Sequence, residues 1–187
     1  MKELLKKLNA CDEAIEWAKD KSWKEIYNTC HRGDWLLWLY KRTNPDDLQR
    51  LTLAKGHCAN TVRHLMNDER SIKAVDTAIA FGEGKAILEE LSVTASAAYA
   101  AASAAYFGAY AAYFGAYAAY VAAYAAYAAA YDYAAAAYAA YDYGADAAAY
   151  AAYDYGADAA DAKTENQKLT ADICRKHLPI EIWNINL

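Results

Sequence analysis

Cys30-His31 and His57-Cys58 set a thiol beside an imidazole at two places in the chain, and His64 follows seven residues after His57. Thiolate and neutral imidazole are zinc ligands, and a cysteine activated by a histidine is a nucleophile. Spacing speaks against a single ion between His57 and His64. On one helix they would stand about 10 Å apart along the axis at about 1.5 Å per residue, whereas zinc–nitrogen bonds are about 2.0–2.1 Å. A zinc site would need Cys30 or His31 from a neighbouring helix. For Cys58 with His31, no Gly-rich turn or oxyanion loop marks an activated thiolate. Packed cysteines and hydrogen-bonded histidines are the plainer expectation. No metal, no cofactor and no enzymatic activity are expected.

Three further motifs read as structure first. Arg32-Gly33-Asp34 is a turn followed by Asp34 as a helix cap. Asn44-Pro45-Asp46-Asp47 offers oxygens to a cation, but acids in a helix's first turn are favoured by its dipole anyway. Gly82-Glu83-Gly84 lacks the length and the basic residue of a phosphate-cradling loop. One combination does suggest binding. His31, Arg32, Trp35 and Trp38 are expected as a candidate pocket for a small molecule, such as a signalling nucleotide.

A run of short helices must position these groups. Residues 1–8 read as a basic amphipathic helix, and 12–19 as a second with Ala14, Trp17 and Ala18 on its apolar side. Ser22-Trp23-Lys24-Glu25 matches the capping box and predicts a helix over 23–30. Trp35-Leu36-Leu37-Trp38-Leu39-Tyr40 is the most hydrophobic run and predicts the central core helix. Asn44 as cap and Pro45 in the first turn predict a helix reaching about Met66. Ile72, Val75, Ile79 and Phe81 mark another, ended by Gly82-Glu83-Gly84. After Lys163 a closing helix carries Leu169, Ile173, Cys174 and Leu178 and stops at Pro179. Residues 180–185 alternate and are expected to lie extended.

Between these parts lies a tract of Ala, Tyr, Gly and Asp over residues 95–162, which holds sixteen of the eighteen tyrosines. Tyr106-Phe107-Gly108-Ala109-Tyr110-Ala111-Ala112 recurs as Tyr113-Phe114-Gly115-Ala116-Tyr117-Ala118-Ala119. Steps of four and three put Tyr on one helix face, and Ala is the best helix former. Tyr106, Tyr110, Tyr113, Tyr117, Tyr120, Tyr124, Tyr127 and Tyr131 are expected as one stripe and a candidate binding surface. The stripe is expected to be covered by another helix, a second copy or a partner. Tyr141-Asp142-Tyr143-Gly144 and Tyr153-Asp154-Tyr155-Gly156 are candidate fold-back points. The fold class is all-α. Residues 1–91 form a compact Trp-rich bundle, 92–162 a long repeat helix or helical hairpin, and 163–187 a closing helix and tail.

Net charge is -5 and unevenly spread: residues 1–94 balance, the tract carries six aspartates, and residues from 163 onward sum to +1. That distribution argues against a nucleic-acid partner. No signal peptide is expected, because residues 1–7 are charged and hold no apolar core segment. The uncharged start of the tract is built of Ala and Tyr rather than Leu, Ile and Phe, so no membrane span is expected. The expected compartment is the cytoplasm, with Cys11, Cys30, Cys58 and Cys174 as free, buried thiols.

Cys30-His31-Arg32-Gly33-Asp34-Trp35-Leu36-Leu37-Trp38-Leu39, with Ala14-Ile15-Glu16-Trp17 upstream and Ala78-Ile79-Ala80-Phe81-Gly82-Glu83-Gly84-Lys85-Ala86 downstream, resembles the fifth numbered family of predicted toxin-immunity proteins. Cys174-Arg175-Lys176-His177-Leu178-Pro179 is similar to the close of that family. The resemblance covers residues 11–91 and 163–183. It implies an all-α protein with an Ala-rich tract, which neutralises a toxin by binding or serves phage counter-defence in a bacterial or phage-infected cell. It brings no catalytic residues. The expected activity is therefore non-enzymatic binding of a partner protein, a toxin or defence effector. Sequestration of a signalling nucleotide and self-assembly into a homo-oligomeric scaffold through the Tyr stripe are the alternatives.

Overall fold

A computed structural model describes residues 1–66, 68–109 and 159–185, and these residues are all-helical with no strand among them. In chain order they form α1 (Lys2–Lys7), α2 (Asp12–Ala18), α3 (Trp23–Thr29), α4 (Gly33–Thr43), α5 (Leu48–Asn60), α6 (Glu69–Gly82), α7 (Leu88–Ala109) and α8 (Ala159–His177). Short 3-10 turns stand at Arg63–Leu65 and Ile180–Ile182. Among the described residues no helix is long and apolar enough to cross a membrane.

The most hydrophobic run becomes the middle of the bundle. Leu36, Leu37, Leu39 and Tyr40 of α4 are buried, and Trp35 and Trp38 pack at the edge of the same core. Each such aliphatic side chain contributes about 1.5–3 kcal/mol when fully removed from water. Ala171, Cys174, Leu178 and Trp183 enter the same cluster, so the closing helix and the first four helices share one core. Helix α8 crosses α4 at Gly33, where an added Cβ would lie 2.6 Å from the Thr170 hydroxyl oxygen. Two other glycines, Gly56 against Ile79 and Gly82 against Leu53, let α5 and α6 approach as closely.

Local signals placed several boundaries as the sequence predicts. Ser22 accepts from the Glu25 amide while Glu25 reaches back to the Ser22 amide, completing the capping box. Helix α6 ends at Gly82 with Gly84 at φ 74°. The Lys85 amide then bonds the Ala80 carbonyl and the Gly84 amide the Phe81 carbonyl, the double bond of a Schellman stop.

Four expectations need correction. Asn44 does not start α5; it ends α4, and Asp47 caps α5 by accepting from the Arg50 amide. The Asn44 side chain instead holds the C-terminal tail, donating to the Ile182 carbonyl at 2.8 Å and accepting from the Asn184 amide at 3.3 Å. Helix α5 stops at Asn60 rather than near Met66, and residues 63–65 turn as a 3-10 helix. The tail is not extended throughout: residues 180–182 make a 3-10 turn, which lets Trp183 pack on Tyr40 and Trp23 with ring centroids 4.9 Å away in each pair. Cys11 is exposed, whereas Cys30, Cys58 and Cys174 are free and buried as expected.

Where the tract begins, small residues make the contact. Leu91, Thr94, Ala95 and Ala98 form the buried face of α7, the helix that packs on α6. Tyr99 stands beside that face and is 53 % exposed. Residue 106 falls within α7. The expectations for Tyr110, Tyr113, Tyr117, Tyr120, Tyr124, Tyr127 and Tyr131, and for the fold-back points, lie outside the described residues.

Candidate functional site

Helices α1 to α4 converge around a cavity of about 560 Å³, within the size range of small-molecule pockets. Its walls are apolar, with Leu5 from α1, Ile26 from α3 and Leu36 and Leu39 from α4. Three tryptophans, Trp17, Trp35 and Trp38, complete them. Helix α2 has only seven residues, and its apolar side is Ala14, Trp17 and Ala18. Burying that side sets the Trp17 ring edge-to-face on Trp35, with centroids 5.8 Å apart and planes at 60°.

The polar part of the wall is an ion pair. Arg32 Nε donates to Asp34 Oδ1 at 2.9 Å and Nη2 to Oδ2 at 2.7 Å, a bidentate geometry. The two side chains are 12 % and 8 % exposed. The same guanidinium lies over the Trp35 ring, 4.5 Å from its centroid. Glu13 approaches from α2, with its Oε1 3.5 Å from Arg32 Nη1 and its side chain 73 % exposed. The expectation of Asp34 as the cap needs correction: the cap position of α4 is Arg32, and Asp34 lies inside the first turn. A two-bond contact with a cation is stronger than one bond to an amide, and Asp34 is turned to it.

Of the predicted pocket residues, the structure brings Arg32, Trp35 and Trp38 together. His31 is exposed and does not line the cavity. Trp17, Glu13, Asp34 and Cys11 also line it, and sequence reasoning did not place them there. The Trp in the middle of so short an apolar face was the available signal for Trp17. Nothing local pairs Asp34 with Arg32 rather than with the helix.

Among the described residues, the thiol and imidazole groups named above have other partners or lie apart. Cys30 donates to the Arg32 carbonyl at 3.4 Å, and burial pushes its thiol up to about 11, so it stays protonated at neutral pH. Cys58 is buried against the Thr170 carbonyl, so it makes no pair with the exposed His31. His57 stacks on His177 with centroids 4.2 Å apart and planes at 11°. Burial lowers the pKa of both rings, that of His177 to about 4, with Lys176 pushing the same way and Glu83 opposing. His64 is exposed. Among the described residues no three His, Cys, Asp or Glu side chains converge as metal ligands.

Two distant stretches of sequence meet behind the cavity. The Cys174 thiol donates to the Gly33 carbonyl at 3.5 Å. Arg175 Nη1 donates to the carbonyls of Tyr27 at 3.0 Å and Cys30 at 2.8 Å. Helix α8 thereby braces the loop that presents Arg32. The fold and the site together define an all-helical protein with an aromatic-walled cavity built around a locked arginine. Compared with family models, with curated proteins and with solved structures, the chain matches none.

Proposed function

We propose that this chain is a non-enzymatic binding protein, that the Trp-lined cavity is its binding site, and that the occupant belongs to a partner protein. The observation that carries this reading is the wall itself: Trp17, Trp35 and Trp38 line one cavity with an Arg32 that is held by Asp34 and stacked on Trp35. Trp and Arg in preordered, largely desolvated positions are the residue types that dominate binding energies. Of the two thiols in the wall, Cys30 is buried, protonated and engaged with a backbone carbonyl, and Cys11 is exposed. A signalling nucleotide fits less well. Its phosphate would meet an arginine already engaged by Asp34, with the Glu13 carboxylate beside it.

The resemblance to toxin-immunity proteins supports the neutralising role. Its most specific stretch, Cys30 to Leu39, supplies much of the cavity wall, and its C-terminal stretch braces that wall from behind. The partner is then a toxin or defence effector, in a bacterial or phage-infected cell. Attachment of a photoactivated cross-linker to Cys11, which is exposed at the cavity, tests this. Cells expressing the labelled chain should yield one cross-linked protein partner, lost in Trp35→Ala although that variant still melts cooperatively. Absence of any protein adduct, together with turnover of a small molecule by the purified chain, would overturn the reading.

A further inference from the structure

We infer that the cavity takes an aromatic side chain of the partner flanked by basic residues, with Glu13 as the counter-ion that selects it. The inference rests on the binding reading above and adds the chemistry of the occupant. Its grounds are the charges around the cavity. Among the lining residues, the charged ones are Glu13, Arg32 and Asp34. Arg32 directs two of its donors at Asp34, at 2.9 and 2.7 Å, and its face at Trp35. Its contact with Glu13 is longer, 3.5 Å, and Glu13 remains mostly in solvent. The pair of Arg32 and Asp34 is close to neutral as an incoming ligand meets it, so among the lining residues the carboxylate of Glu13 is the unbalanced charge. Two further cations sit against wall rings from outside the lining: Lys21, whose ammonium bonds the Trp17 carbonyl and lies 4.3 Å from the Trp17 ring centroid, and Arg42, whose guanidinium lies 5.6 Å from the Trp38 ring centroid. Neither cation lines the cavity.

The inner walls carry no charge of their own beyond that pair, so the inserted group has to be apolar. Trp17 and Trp35 meet edge-to-face, which offers both a ring face and a ring edge to an aromatic guest. A cation beside the guest would meet Glu13 at the mouth without being desolvated in the interior. An anion there would be repelled by Glu13 and would find Arg32 engaged. The partner chemistry that fits is a basic-aromatic segment, an aromatic residue next to Lys or Arg.

Three blocked five-residue peptides with a central Trp, flanked by Lys, by Gln or by Glu, test this on the full chain. Calorimetry reads affinity, and protection of Cys11 from iodoacetamide reads occupancy of the cavity. The Lys peptide should bind tightest and the Glu peptide weakest, each step being about two- to fivefold, the scale of one exposed ion pair. Glu13→Gln should shrink the step between the Lys and Gln peptides to within about twofold by removing that pair. Equal binding of all three peptides with Cys11 protected would leave the cavity as a binding site and sink the charge selection. No binding and no protection would sink both. Tighter binding of phenethylamine alone than of the Lys peptide would move the occupant from a protein segment to a small molecule and overturn the inference.

Discussion

Gly33→Ala probes the close crossing of α4 and α8. A Cβ at position 33 would lie 2.6 Å from Thr170 Oγ1 and 2.7 Å from both Thr170 Cβ and its carbonyl carbon. Rotating the Thr170 side chain relieves only the first of these, because the other two move only with the backbone of α8. The helices must therefore shift apart, which also stretches the Cys174 thiol from the Gly33 carbonyl it reaches at 3.5 Å. Overpacking of this kind costs about 1–3 kcal/mol, and the better helix propensity of Ala returns at most about 1 kcal/mol. A net loss of about 1–2 kcal/mol corresponds to a Tm lower by roughly 2–8 °C for a chain of this size. Thermal melts followed by circular dichroism read it. Gly33→Ala/Thr170→Ala should recover only part of the loss, since the shortened side chain keeps its Cβ. An unchanged or higher Tm in Gly33→Ala, or full recovery in the double variant, would refute the argument.

Lowering the pH should weaken the bundle through the His57–His177 stack. Both rings have folded pKa values below the unfolded one, so this contribution is present above about 6.5 and is lost as pH falls through the window toward the His177 value of about 4. The loss should be about 1–2 kcal/mol, roughly half the full linkage value because both rings are partly open to solvent. Denaturant melts at pH 7 and pH 4.5 should differ less in the His57→Gln/His177→Gln variant than in the unaltered protein. Asn44→Ala removes both side-chain bonds to the tail; stability should fall by about 1–2 kcal/mol, and limited proteolysis should cut beyond Pro179 faster. Iodoacetamide should label Cys11 alone in the folded chain, with Cys30, Cys58 and Cys174 reacting only after unfolding. Rapid labelling of a second cysteine under native conditions would show that the core is looser than its burial indicates.

The sequence by itself determined the features that local chemistry controls. The capping box at Ser22, the apolar run from Trp35 to Tyr40 and the glycine stop after α6 each depend on residues within a few positions, so their pattern can be read directly. The all-helical class follows from the same local signals. Asn44 shows where that reading stops. Asn44 and Asp47 are both able to cap a helix, and nothing nearby chooses between them. The choice was made by a carbonyl 138 residues away, because Asn44 is occupied by the tail at Ile182.

Tertiary structure decided the site in the same way. Arg32, Trp35 and Trp38 lie close together in sequence and were legible as a group, but the cavity exists only because α1, α2 and α3 close over α4. Trp17 reaches Trp35 from another helix, and Glu13 reaches Arg32 across the same gap. Cys58 and His57 found their partners on α8, at Thr170 and His177, rather than in the neighbouring motifs that first suggested metal or nucleophilic chemistry. Local periodicity reports which face of a helix is buried. It does not report which helix buries it, since that depends on contacts whose sequence separation exceeds a hundred residues.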